Sequence, residues 1–257
     1  MKKLFVLSVA VLVALAMGGC RRSGEPEQEV VFRLSGVRTG AIEVKSASDS
    51  LVNVVLGMRE PNGTPELSLQ STSVASRRYT VAVGRAVSIP VGTYQVSGRY
   101  TPTQKLYSLQ GNGVYEEPVY KVSSEVTVRE GVDSYEVAAE YDCWALVVDG
   151  SDVSRVDYKA ERAMSYATMD LPVVSEGVSV VYVDLQYSWD TYQPTCWKFF
   201  PVDEVDYETR EYELVTKEPK DTQFQVRAGR WYMFGTRAVD RQEGEIGITM
   251  PGWQKGI

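Results

Sequence analysis

In short runs along most of this chain, apolar residues return at every second position. Tyr79–Val83, Thr93–Ser97, Ser124–Val128, Val178–Val183 and Gln223–Val226 all carry this alternation. Successive side chains of a strand point to opposite faces, so the spacing gives each segment one apolar and one polar face. A helix needs apolar residues at three- and four-residue intervals, and no segment after residue 19 sustains that period. Residues 155–168 are the one stretch where a short helix is conceivable, and a strand followed by a loop suits them better. The runs stop at Pro61-Asn62-Gly63, Pro90-Val91-Gly92, Gly111-Asn112-Gly113 and Asp149-Gly150, residue types that reverse a chain. Valine occurs 39 times and tyrosine 16 times, and both favour the pleated, half-buried surface of a sheet. About fifteen short segments between turn signals predict an all-β protein of antiparallel β-sandwiches, Ig-like or transthyretin-like.

The start of the chain is different. Lys2 and Lys3 precede an apolar run from Leu4 to Met17, broken only by Ser8. As a helix this run would span ~21 Å, short of the ~30 Å hydrocarbon core, so it reads as a signal segment and not a membrane span. Gly18 and Gly19 then lead to Cys20. The stretch Ala16-Met17-Gly18-Gly19-Cys20 resembles a bacterial lipobox, with Met17 where leucine is usual. The resemblance implies that Cys20 is alkylated with diacylglycerol and becomes the mature N-terminus. A thiol is the readily alkylated nucleophile at that position. Two or three acyl chains, at ~0.8 kcal/mol per buried methylene, anchor stably. The competing interpretation is an ordinary secretory leader with a chance cysteine.

Residues 1–19 are therefore expected to be a lipoprotein signal peptide and residues 20–28 a polar, lipidated tether. Residues 29–142 and 143–257 are expected to form two tandem sandwiches. An internal echo supports the division. Ile89-Pro90-Val91-Gly92-Thr93-Tyr94 and Val226-Arg227-Ala228-Gly229-Arg230-Trp231 share one grammar: strand end, glycine, aromatic-bearing strand. In each the glycine would let the backbone reverse between two antiparallel strands. No linker marks the boundary, which is placed near residues 141–145, where one strand can run straight into the next unit. The Pro-x-Gly-x-Tyr corner, the segment Val226–Arg237 and the ending Gly244–Gly256, with its Ile246, Ile248 and Trp253, resemble the fimbrillin-like lipoproteins of Bacteroidota. That resemblance implies a lipid-anchored tandem β-sandwich on the outer membrane, with other fimbrial subunits as partners in those members that polymerise by strand exchange. Glu25, Glu27 and Glu29 loosely resemble the acidic stretch that directs some such lipoproteins outward. Arg21 and Arg22 depart from it, so an outward-facing and a periplasmic placement both stand, the outward one favoured.

Composition removes several chemistries. There is no histidine, which excludes Ser-His-Asp and Cys-His catalysis, zincin motifs and any His-ligated metal. The net charge of −7 makes a nucleic-acid partner unfavourable. No cofactor is implied. Cys143 and Cys196, each followed by tryptophan at the head of an apparent strand, are either a disulfide within the second sandwich or two buried free thiols. No Cys-x-x-Cys spacing points to redox work. Tyr187, Trp189, Tyr192 and Trp197 crowd around Asp190 and Pro194. Trp189, Tyr192 and Asp190 are the candidate platform for a sugar ring, loops on a rigid sandwich being where binding resides. The plainer interpretation, which is favoured, puts Tyr187 and Trp197 in flanking strands and leaves Trp189 and Tyr192 to cap the sandwich end. The acidic clusters at residues 149–152 and 203–206 fit solvated turns better than Ca²⁺ sites. Asp49-Ser50-Leu51 matches a loose O-glycosylation pattern and carries no further weight.

The resemblances to a lipobox and to the fimbrillin-like lipoproteins imply a non-enzymatic, lipid-anchored surface protein acting in adhesion or as a fimbrial accessory or anchor subunit. The alternative is a glycan-binding lipoprotein of a polysaccharide-uptake system, which would expose the aromatic loop. A hydrolase using paired carboxylates is the least supported, because nothing selects a pair among 34 acidic residues.

Overall fold

A computed structural model describes residues 26–36, 63–109, 112–160, 165–169, 173–175, 177–185, 195–202, 209–215, 220, 223–234 and 241–245. Among these every regular element is a strand. The first nine are β1 (Glu27–Gly36), β2 (Glu66–Ser71), β3 (Arg78–Ala82), β4 (Ala86–Pro90), β5 (Gly92–Tyr100), β6 (Tyr107–Leu109), β7 (Asn112–Tyr115), β8 (Tyr120–Val128) and β9 (Ser134–Tyr141). Seven of them make one sheet in the order β3-β2-β5-β8-β9-β1-β4. β5 and β8 are paired along their whole length, from Gly92↔Val128 to Tyr100↔Tyr120. β8 and β9 touch only at one end, over Tyr120↔Tyr141, Lys121↔Glu140 and Val122↔Ala139. Beyond that corner the strands part, and the sheet folds over its own core. Inward positions of both halves meet there: Val30, Phe32, Leu67, Leu69, Ile89, Val96 and Val137, all at most 1% exposed. Each such side chain contributes roughly 1.5–3 kcal/mol by leaving water. Tyr94 enters the same core because its hydroxyl donates to the Pro90 carbonyl at 2.7 Å, leaving no polar atom unpaired.

The chain then continues through β10 (Cys143–Asp149), β11 (Val153–Ala160), β12 (Ala167–Met169), β13 (Val173–Ser175), β14 (Val178–Asp184), β15 (Thr195–Pro201), β16 (Arg210–Val215), β17 (Gln223–Gln225), β18 (Arg230–Phe234) and β19 (Arg241–Glu245). A second sheet runs β19-β18-β10-β14-β7-β6, with β13 beside β14, and a third runs β12-β11-β15-β16-β17. They face each other over Trp144, Leu146, Val181 and Phe234 on one side and Val156, Tyr158, Trp197, Phe199 and Leu214 on the other. Trp197 packs on Tyr158 at 4.4 Å and on Trp144 at 5.5 Å between ring centres. Residues 155–160 belong to β11 and residues 167 and 168 to β12, in line with the strand expected there; residues 161–164 lie outside the described residues.

Two departures from simple alternation have physical reasons. β10 and β14 are apolar almost throughout, because both faces of the second sheet are covered. On β10, Trp144, Leu146 and Val148 face the third sheet, while Cys143, Ala145 and Val147 join a separate cluster with Val180, Tyr182 and Trp231. The two glycine corners also differ from the expected hairpins. β4 pairs with β1 whereas β5 pairs with β2 and β8; β17 lies in the third sheet whereas β18 lies in the second. Each corner therefore carries the chain between layers. Gly92 at φ 154° and Gly229 at φ 70° hold conformations that a side chain would oppose. The chain passes from the first sheet to the second across the single residue Asp142, since β9 ends at Tyr141 and β10 begins at Cys143. The hairpin β6–β7, earlier in sequence, also belongs to the second sheet through Tyr115↔Tyr182 and Val114↔Val183.

Candidate functional site

Among the described residues β1 is the element nearest in sequence to Cys20, and its residues explain its place. Val30, Phe32 and Leu34 alternate inward at 0%, 0% and 3% exposure, and Phe32 lies 6.0 Å from the Tyr135 ring. The strand changes partner midway. Glu27–Val31 pair antiparallel with β4, from Glu27↔Pro90 to Val31↔Ala86. Val31–Gly36 pair parallel with β9, from Val31↔Ser134 to Gly36↔Ala139. Val31 belongs to both ladders, and its amide donates to the Asp133 carbonyl at 2.8 Å. Gly84 donates to the Phe32 carbonyl at 2.8 Å, closing the β4 side just past the change of partner. The slot between β4 and β9 is thus filled by the chain's own strand. Arg33 sits within it, opposite Glu136, half-buried in the paired ladder. Arg38, the other arginine near this strand, lies outside the described residues.

The passage between the first and second sheets is held by charge. Arg99, near the end of β5, donates from Nε to Asp142 at 2.8 Å and from an Nη to Asp184 at 2.6 Å; its other Nη reaches the Thr101 hydroxyl at 2.6 Å. Lys121 stands 3.4 Å from the second Asp142 oxygen. The side chains of Arg99, Asp142 and Asp184 are only 22%, 16% and 7% exposed. Backbone bonds tie the same point. The Asp142 amide donates to Val119 at 2.8 Å, and the Asp142 carbonyl accepts from Leu185 at 3.2 Å. Tyr120 and Tyr141 stack beside it at 5.1 Å. Tyr100, next along β5, donates to Glu117 at 3.0 Å; burial first, and that bond second, push its ionisation up to about 12. Local sequence does not reveal this node, because its members come from β5, from the junction of β9 and β10, and from the end of β14, far apart in the chain. The one available signal is Asp184, a carboxylate ending the run Val178–Val183, which is apolar but for Ser179.

Cys143 and Cys196 are both free thiols in the structure, the second of the two alternatives open in the sequence, with Cys143 buried and Cys196 half-buried. Parity along the strands explains it. Trp144 and Trp197 face each other inside the sandwich of the second and third sheets, so Cys143 and Cys196, one position earlier, point away from that interior on opposite outer faces. The Cys143 sulfur accepts from the Val119 amide at 3.3 Å in a fully buried site. Burial drives its ionisation far above the usual thiol range. Cys196 lies half-buried on the outer face of the third sheet, across from Lys159 and Glu213. Burial, and then the charge of Glu211, raise its ionisation too. Tyr166 donates to Glu211 on this face, and that bond, with Lys198 at 3.3 Å, holds the Glu211 carboxyl below its usual range.

The proposed sugar platform, Trp189, Asp190 and Tyr192, lies outside the described residues, as do Tyr187 and Cys20. Its strand neighbour Trp197 is a core residue, 0% exposed, with its ring N–H bonded to Thr195 at 2.9 Å. The segment carrying the aromatics leaves from Leu185, beside Asp142, and returns at Thr195 opposite Ala160 and Leu214. Among the described residues no three His, Cys, Asp or Glu side chains gather in a way that could hold a metal ion.

No protein-family model matches the chain, and no curated protein matches it. Solved structures do. The chain is similar to the tip fimbrial protein Mfa3 from Porphyromonas gingivalis with C-terminal truncation, at 7% identity and TM-score 0.43, covering 70% of this chain and 93% of that one. It is similar to a cell adhesion protein from Bacteroides ovatus at 11% identity and TM-score 0.40, covering 88% and 99%. A fimbrial assembly protein from Parabacteroides distasonis aligns at 10% identity and TM-score 0.38, covering 85% and 95%. At these identities and scores the likenesses say what the chain is similar to and carry no mechanism.

Proposed function

We propose that this chain is a lipid-anchored surface protein of two tandem β-sandwiches, acting in adhesion or as an accessory or anchor subunit of a fimbria. The observation that carries the reading is the position of β1. It begins at Glu27, seven positions after Cys20, and is built into the first sheet on both of its edges. Seven residues reach at most ~25 Å, so a lipid on Cys20 would hold this end of the first sheet close to the membrane. The C-terminal sandwich would then lead away from it. A subunit that awaits another chain's strand must vacate a groove. Here the chain's own β1 fills the slot, with Phe32 and Leu34 in the core. That fits an accessory or anchoring role in which β1 stays in place, whereas a repeating polymer unit would first have to lose it to cleavage. The absence of histidine, which removes the commonest catalytic chemistries, agrees with a structural protein.

The test is Cys20→Ala followed by membrane fractionation of the producing cells. The variant is expected to leave the membrane fraction or to accumulate as uncleaved precursor. A variant that is processed and fractionates like the parent would overturn the reading.

A further inference from the structure

The direction of β1 relative to β9 has a mechanical consequence. The two strands run parallel, paired from Val31↔Ser134 to Gly36↔Ala139. The tether enters at the start of β1. The rest of the chain departs from the end of β9, through Asp142 into β10. Tension between these two points pulls β1 towards its N-terminus and β9 towards its C-terminus. The pull lies along the strands and across their hydrogen bonds, so the bonds of the ladder are loaded together. Parallel ladders bond at alternate residues, and the Val31 amide on Asp133 sets the phase, so the amides of Arg33 and Ser35 follow on the same edge. Sliding β1 lengthwise must also drag Val30, Phe32 and Leu34 through a packed core. At the exit, Arg99 holds both Asp142 and Asp184, so the load passes from the first sheet to the second at a braced point.

We propose that the parallel β1–β9 ladder is a mechanical clamp that keeps the first sheet folded when the chain is pulled between its N-terminal tether and the strands beyond Asp142. This rests on the reading of Cys20 as the anchor, which supplies the direction of the pull. Loaded from one end, the same ladder has no such strength. The starts of β1 and β9 lie side by side: Gly131, in the turn before β9, donates to the Gln28 side chain at 3.2 Å. Drawing those two starts apart peels the pairs off one after another.

The experiment is single-molecule force spectroscopy on purified, unlipidated mature chain, in a Cys196→Ser background with Cys143 buried. One version carries handles at the N- and C-termini. The other carries handles at the N-terminus and at Glu130→Cys, an exposed turn position. Opening of the first sheet is recognised by a contour gain of roughly 400 Å in the end-to-end pull, and of roughly 350 Å in the other, where only residues 26–130 lie between the handles. Forced opening is governed by the unfolding barrier and not by equilibrium stability. The end-to-end pull is therefore expected to need several-fold more force than the pull from residue 130. Equal forces in the two geometries, or a weaker end-to-end event, would overturn the clamp. Because the protein carries no lipid, a failed clamp leaves the anchor reading intact, and a failed Cys20→Ala test leaves the measured clamp intact.

Discussion

Replacing Arg99 with alanine removes a side chain that touches both Asp142 and Asp184. Two carboxylates then remain in a site where their side chains are 16% and 7% exposed. Breaking a fully buried pair costs about 3–5 kcal/mol, because the surviving charge is uncompensated, whereas an exposed pair is worth about 0–1. Arg99 at 22% exposure lies between these limits but nearer the buried one, and Lys121 still serves Asp142. The expected loss is therefore about 2–3 kcal/mol, or ~4–12 °C in melting temperature for a chain of this size. The loss is also expected to divide the molecule. Of the five tryptophans, Trp144, Trp197 and Trp231 sit in the second and third sheets; with Trp189 and Trp253 changed to phenylalanine, fluorescence reports there, while circular dichroism reports all the strands. The two transitions should separate in R99A. Adding Asp184→Asn removes the stranded charge, so R99A/D184N should regain part of the loss, although D184N alone is destabilising. A cost below ~1 kcal/mol for R99A, or no recovery in the double variant, would refute the view that this node is a buried electrostatic brace.

Two further outcomes are expected. In native protein a small thiol reagent should modify Cys196 slowly and leave Cys143 untouched, both becoming reactive on unfolding; non-reducing peptide mapping that recovers a Cys143–Cys196 bridge would contradict the parity argument. An Arg-specific protease acting on folded protein should spare Arg33, because cleavage needs an extended, unpaired backbone; a cut there followed by ladders of stable multimers would show that β1 is exchangeable and that the chain polymerises.

Several features of the fold are legible in the order of the residues. Alternation at residues 79–83, 93–97 and 124–128 locates β3, β5 and β8, because a face-to-face difference in polarity is written directly along the chain. The apolar face of Val30, Phe32 and Leu34 locates β1 for the same reason. The glycines at 92 and 229 mark corners, since their backbone angles are ones a side chain resists. What those corners connect is not legible, and the hairpins expected there do not form, because a turn signal specifies a reversal and not the partner of the strand that follows it. Whether the two cysteines bridge or stay free is not legible for a related reason. Two Cys-Trp heads look alike in sequence, but the facing of Trp144 and Trp197 inside one sandwich forces the thiols to opposite outer faces.

Residue order alone therefore determined the all-β class, the inward face of several strands, the placement of the corners and the exclusion of histidine chemistry. These are local properties, set by backbone preference and by which side chains leave water. Tertiary structure decided that β1 runs antiparallel to β4 and then parallel to β9, that β6–β7 joins the second sheet, and that Arg99 meets Asp142 and Asp184. Each is a contact between segments far apart in the chain. Its formation depends on how whole sheets close over their cores, and no short stretch of sequence carries that information.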